Sequence, residues 1–75
     1  MTTATRIRDC LAMETTRLPV SDDAIIEYPD PLGLISVAMA IEDDFGIGDI
    51  PEDDYLKCRT VNDWVDLVER MKPSQ

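Results

Sequence analysis

The stretch DPLGLISVAMAIEDDF, from Asp30 to Phe45, decides the fold because it has the pattern of one amphipathic helix. Asp30 can accept hydrogen bonds from the free backbone N–H groups at a helix start, and Pro31 suits the first helical position. Apolar residues then recur at spacings of three and four, which predicts a buried face. This face consists of Leu34, Val37, Ala38, Ile41 and Phe45, widened by Leu32, Ile35 and Met39.

Three consecutive carboxylates, Glu42, Asp43 and Asp44, lie at the end of this predicted helix. Carboxylates there face the negative end of the helix dipole and cost roughly 0.3–1 kcal/mol each when exposed. A sequence that breaks a local rule without visible local gain often does so at a functional surface. The three acids are therefore candidates for contact with a partner, and a solvated acidic face is the alternative.

Before this helix, the pattern predicts a first helix over residues 3–16, with an apolar side and threonines near its start that can cap it. Residues 17–30 show no sustained period. Apolar residues along this connection predict that it lies across the bundle. They are Leu18, Val20, Ile25, Ile26 and Tyr28.

Two more helices are predicted after the long one. Gly46 is placed for a left-handed C-terminal cap, and Pro51 begins a short helix through about Lys57. Thr60 and Asp63 have the spacing of a capping box for the last helix. Its predicted inward face consists of Val61, Trp64, Val65, Val68 and Met71, with Leu67 at the margin. The chain is therefore predicted to be one small all-α domain over residues 1–75, with three main helices, one short helix and a long first connection.

The composition favours a protein partner over nucleic acid or an anionic membrane, because the 75 residues carry a net charge of −9. Such a field favours a partner with a basic patch. Histidine, the commonest general base, is absent, and a chain this short has little room for an enclosed catalytic pocket. We therefore expect a binding module that is not an enzyme. Nothing in the apolar faces demands more than a monomer.

No apolar run approaches the roughly 20 residues that span a bilayer, and the first residues do not have the pattern of a signal peptide. The expected location is the cytoplasm. Cys10 and Cys58 lie on predicted helix faces and are expected to be buried thiols. A calcium loop starting at Asp43 would place Phe45 and Ile47 at ligand positions, so no metal site is expected.

Four groups of residues between positions 30 and 68 match the pattern of a known family. They are Asp30-x-Leu32, then Met39 to Phe45, then Ile50-Pro51, and finally Lys57 with Thr60-Val61-x-x-x-Val65-Asp66-x-Val68. These residues resemble the acyl carrier proteins, which are acidic four-helix bundles that carry thioester-bound acyl groups between enzymes. The resemblance implies this fold, and it implies that the carboxylates after Ile41 meet basic residues of partner enzymes, with Asp30 as a further contact.

In that family a serine in an Asp-Ser-Leu motif, at the start of the second helix, carries 4′-phosphopantetheine. The corresponding triplet here is Asp30-Pro31-Leu32, and proline has no hydroxyl for the phosphodiester. In this alignment the connection before Asp30 is about five residues shorter than is usual in the family. A second alignment register would place the attachment at Ser36, but it takes the five missing residues out of the long helix instead of the loop. Five residues are about 1.4 turns, which would rotate one half of the apolar face by roughly 140°. The unbroken face favours the register with Pro31 at the attachment position.

The resemblance therefore implies a carrier-like module that docks on acyl-transfer or biosynthetic enzymes through its acidic second helix, without an arm at Pro31. The alternative is a working carrier of fatty acid, lipid or polyketide-type biosynthesis, with the arm on Ser36 or in a serine-bearing parent. The family position that matches Trp64 is usually small, and an acyl chain can enter the bundle beside it. Trp64 would fill that space, although ordinary core packing explains this side chain equally well.

Overall fold

The computed structural model describes residues 2–14, 18–28 and 31–72. These residues form four helices: α1 (Thr3–Glu14), α2 (Pro31–Phe45), α3 (Glu52–Tyr55) and α4 (Val61–Met71). Within them there is no strand, and an isolated backbone bridge joins Ile25 to Thr60. The all-α prediction is confirmed. None of the described helices is long and apolar enough to cross a membrane.

Local capping chemistry accounts for the ends of these helices. The backbone N–H of Thr5 donates to Thr2 Oγ1 at 3.1 Å, so a threonine caps α1 as expected. Thr60 and Asp63 form the predicted capping box at the start of α4. Gly46 ends α2 with φ +63°, and its N–H donates to the Glu42 carbonyl at 2.8 Å. The predicted cap by Asp30 lies outside the described residues.

The core lies where α1, α2 and α4 pack together, and Trp64 is its largest fully buried side chain. The Trp64 indole N–H donates to the Tyr28 hydroxyl at 3.3 Å. Leu67 was expected at the margin of α4, but it is only 1 % exposed and belongs to the core. Val65 and Met71, which were expected to face inward, are half-buried. The buried stripe of α4 is therefore rotated slightly toward Leu67.

Two of the five apolar anchors predicted in the connection between α1 and α2, Ile26 and Tyr28, pack against the core, and the other three are exposed, which corrects that prediction in part. Ile26 is buried, and its N–H donates to the Arg59 carbonyl at 2.8 Å. Val20 is 97 % exposed, and Leu18 and Ile25 are exposed as well. Because backbone hydrogen bonds tie this segment to the start of α4, its other apolar side chains need not be buried.

The apolar face of α2 is narrower than its sequence predicts. Val37, Ala38 and Ile41 are buried, as expected. The residues that widened the predicted face are exposed instead; they are Leu32, Ile35 and Met39. Since α2 packs against α1 and α3 on one side, these three side chains are left in solvent as an exposed apolar stripe.

Candidate functional site

The start of α2 is the first part of the candidate site, because the resemblance aligns it with a prosthetic-group attachment point. Pro31 is the first residue of the helix. Ser36 is half-buried and lies about one and a half turns further along. The helix runs without interruption from Pro31 to Phe45, so the hydroxyl of Ser36 lies within it and not at its start. Asp30 lies outside the described residues.

These residues do not fit a phosphopantetheine group at the helix start. The phosphodiester needs a side-chain hydroxyl, and Pro31 has none. Ser36 is the one hydroxyl-bearing residue in α2, so it is the one side chain of this helix that could form the bond. In the register that the resemblance implies, the attachment position therefore lacks the hydroxyl that the phosphodiester requires.

The end of α2 is the second part of the site, and the structure gives its three acids different surroundings. Glu42 is half-buried, and its Oε2 accepts a hydrogen bond from the Ile50 backbone N–H at 2.6 Å. Gly46 and Gly48 lie between them with φ values of +63° and +81°, in the left-handed region that favours glycine. Glu42 therefore holds the α2–α3 connection against the end of its own helix.

Asp44 forms an ion pair with α1. Arg6 Nε lies 2.9 Å from Asp44 Oδ2, and a second guanidinium nitrogen donates to the Asp44 carbonyl at 2.6 Å. The Arg6 guanidinium also lies 4.1 Å from the centroid of the Phe45 ring, and Lys72 Nζ lies 5.5 Å from the same centroid. These cations counter the negative charge at the end of the α2 dipole.

Asp43 is exposed, and its side chain forms no hydrogen bond or ion pair within the described residues. It lines a groove of about 350 Å³ between α1 and α2, which we call the α1–α2 groove. The groove is lined by Cys10, Met13, Ala40, Asp43 and Asp44. Of the three carboxylates, Asp43 is thus the one whose charge the described structure leaves without an internal partner.

The sequence pattern did not indicate the role of Arg6 or the hydrogen bond made by Glu42. Arg6 and Asp44 are 38 positions apart, so no helical spacing relates them. The glycines after Phe45 were a partial signal for the Glu42 contact, because they predict a tight return of the chain past the end of α2. They could not show which carboxylate would accept the hydrogen bond.

The two thiols do not form a reactive site. Both cysteines are buried, as predicted. Burial raises the pKa of the Cys58 thiol to about 12, with the negative charge of Asp63 adding to the effect. Burial also raises the pKa of Cys10, and the Asp44 charge acts in the same direction. Neither thiol is activated as a nucleophile near neutral pH. Among the described residues, no group of His, Cys, Asp or Glu side chains could hold a metal ion.

The fold and these surfaces define a small helical domain of the carrier type. A family model for the phosphopantetheine attachment site matches residues 5–68, which is most of the chain. The chain therefore belongs to the phosphopantetheine-attachment family, the family of the acyl carrier domains. Domains of this family interact with synthase or acyl-transfer enzymes. No curated protein and no solved structure matches the chain significantly.

Proposed function

We propose that this chain is an acyl-carrier-like docking module for acyl-transfer or biosynthetic enzymes, and that it carries no phosphopantetheine arm at Pro31. The single observation behind the proposal is that α2 begins at Pro31 and runs unbroken to Phe45. This geometry supports the register in which Pro31 occupies the attachment position. The module is further proposed to act in the cytoplasm as a monomer and to have no catalytic activity of its own.

The absence of a break in α2 bears directly on the register. Placing Ser36 at the attachment position would require five residues to be missing from this helix, which is about 1.4 turns. Such a deletion would rotate the buried residues of one half away from those of the other. Val37, Ala38 and Ile41 instead lie on one buried face, so a shorter first connection is the simpler explanation. Changes in loop length cost only tenths of a kcal/mol.

The proposed docking surface is the exposed side of α2, with its apolar stripe and the acids at its end. Leu32 and Met39 are exposed at 68 % and 61 %, and Asp43 adds a negative charge on the same helix. Exposed apolar residues rimmed by charge are typical of protein interaction sites. Glu42 and Asp44 contribute to the negative field even though each has an internal partner, and the family resemblance adds Asp30 as a further proposed contact.

Trp64 supports the proposal of an unloaded module. It is fully buried, where the family resemblance places the path of an acyl chain into the bundle. A side chain of this size leaves less space for such a chain than the small residue that is usual there. The bundle interior is thus better suited to stability than to holding an acyl group.

The alternative function is a working carrier with 4′-phosphopantetheine on Ser36, in fatty acid, lipid or polyketide-type biosynthesis. The observation in its favour is that Ser36 is only half-buried and is the one serine of α2. Its hydroxyl could be reached by a transferase if the first half of the helix opened.

Incubation with coenzyme A and a broad phosphopantetheinyl transferase, followed by intact mass measurement, distinguishes the two functions. We expect no mass gain for the natural chain. The variant Pro31→Ser restores an Asp-Ser-Leu triplet and is expected to gain one phosphopantetheine, which a further Ser36→Ala substitution does not remove. A gain by the natural chain that Ser36→Ala abolishes would overturn the proposal in favour of the alternative.

A further inference from the structure

The three acids at the end of α2 differ in whether the folded domain uses their charge. Glu42 binds the Ile50 N–H and Asp44 binds Arg6. Asp43 makes neither kind of contact within the described residues, and it sits at an unfavourable end of the helix dipole. An exposed charge in this position has no stabilising role in the folded domain, so a binding role would account for it better.

Two exposed methionines lie beside Asp43. Met13, near the end of α1, is 75 % exposed and lines the α1–α2 groove together with Asp43. Met39 is 61 % exposed and lies one helical turn before Asp43 on the same face of α2. Methionine side chains are flexible and polarizable, and they are common at binding surfaces that adapt to a partner. Met13 thus gives the groove an adaptable apolar wall beside an unpaired carboxylate, and Met39, next to Ala40 in the chain, lies outside the groove lining.

We propose that the α1–α2 groove is a docking pocket for a basic protein surface. The partner would place one large apolar side chain against Met13 and Met39, and an adjacent arginine or lysine on Asp43. This inference rests on the proposed docking function and adds α1 to the contact surface. Charge complementarity identifies the occupant: the chain carries −9, so a second copy would bring like charges together, whereas a basic partner is attracted.

Methionine methyl resonances provide a direct test. The chain is labelled with ¹³C at its methionine methyl groups and titrated with a synthetic helical peptide of leucine and lysine. The methyl resonances of Met13, in the groove lining, and Met39, one turn before Asp43, are expected to shift, while that of Met71, half-buried at the end of α4, shifts less. A matched peptide with alanine in place of leucine is expected to bind more weakly and to shift Met13 and Met39 less.

Two variants then separate the groove from general electrostatic attraction. Asp43→Asn is expected to weaken peptide binding by about two- to five-fold, as for loss of one exposed ion pair. The matched control Asp66→Asn removes the same charge from an exposed position on α4 and is expected to weaken binding less. Met13→Ala is expected to lower affinity while leaving the charge unchanged.

Equal weakening by Asp43→Asn and Asp66→Asn, or equal shifts at all three methionines, would overturn the groove proposal. Shifts of Met13 and Met39 that depend on protein concentration without peptide would also overturn it, because a second copy would then be the occupant. These outcomes are independent of the phosphopantetheine mass measurement, so failure of the groove and failure of the proposed function can be told apart.

Discussion

Glu42 and Ile50 are joined across the connection between α2 and α3, where Glu42 Oε2 accepts a hydrogen bond from the Ile50 N–H at 2.6 Å. Ile50 is buried, so its backbone donor would otherwise lie near the core without water to satisfy it. This carboxylate lies at the unfavourable end of the α2 dipole, yet it stabilises the segment that follows. Since part of the acidic cluster has a structural role, its members are expected to respond differently to substitution.

Replacing Glu42 with alanine is expected to lower the free energy of unfolding by about 1–2 kcal/mol. Loss of a hydrogen bond to a charged group costs about 1.5–3 kcal/mol, and removal of an unfavourable dipole interaction returns roughly 0.3–1 kcal/mol. Urea unfolding followed by circular dichroism measures the change. Unchanged stability would mean that the Ile50 N–H finds another acceptor or that the connection contributes little.

The neighbouring substitution Asp43→Asn is expected to have the opposite sign. It removes an exposed carboxylate from the negative end of the α2 dipole without breaking a contact in the described structure, so stability should rise by about 0.3–1 kcal/mol at low salt. The same urea experiment, repeated at high salt, should show the gain shrink. A loss of stability would show that Asp43 has an internal partner.

Arg6→Met is expected to destabilise the domain by about 1–2 kcal/mol. The substitution removes a partly exposed ion pair with Asp44, worth up to about 1 kcal/mol, and a cation over the Phe45 ring, worth about 0.5–1 kcal/mol. Lys57→Met serves as the control because Lys57 is exposed. Thermal unfolding at two salt concentrations measures both effects. Equal losses of stability for the two variants would contradict a stabilising role for the contacts of Arg6 with Asp44 and Phe45.

Trp64→Ala is expected to reduce the free energy of unfolding by about 3–5 kcal/mol, since it removes the largest fully buried side chain and leaves a cavity. Val20→Ala is the matched control: Val20 is 97 % exposed, and its truncation should change stability by less than about 0.5 kcal/mol. The chain has a single tryptophan, so Trp64→Ala has no tryptophan fluorescence to follow. Circular dichroism during urea unfolding can be used for both variants. Similar stability of the two variants would contradict the central position of Trp64.

The Cys58 thiol is expected to make stability fall at alkaline pH. Its pKa is raised from the ordinary value of 9.0 to about 12, so the folded state keeps a proton that the unfolded state loses. This contribution is complete below pH 9.0 and is lost as the pH rises from there toward 12. The free energy of unfolding is measured in urea from about pH 8 to about pH 11, across the start of that window. It should fall more steeply with pH for the natural chain than for Cys58→Ala. Parallel curves would show that the thiol is not the cause.

The helix ends could be predicted from the sequence because capping interactions are local. The buried faces were predicted less well because they depend on packing between helices. The caps at Thr2, Gly46 and Thr60 act within four residues, so their spacing alone indicates helix ends. The width of the buried face on α2 was overestimated because it depends on how many neighbours pack against that helix. The prediction of Leu67 at the margin failed for the same reason, since the rotation of α4 depends on the elements that pack against it, chiefly α1.

The order of residues was enough to predict a small helical bundle with the pattern of its family, and it predicts that Pro31 stands at the attachment position of that family. Both conclusions depend on residue type and short spacing, which act within a helical turn. The tertiary structure alone decided that Glu42 binds Ile50, that Asp44 binds Arg6 and that Asp43 faces the α1–α2 groove. Packing brought Arg6 and Asp44 together although they are 38 positions apart, and no local periodicity specifies such a contact.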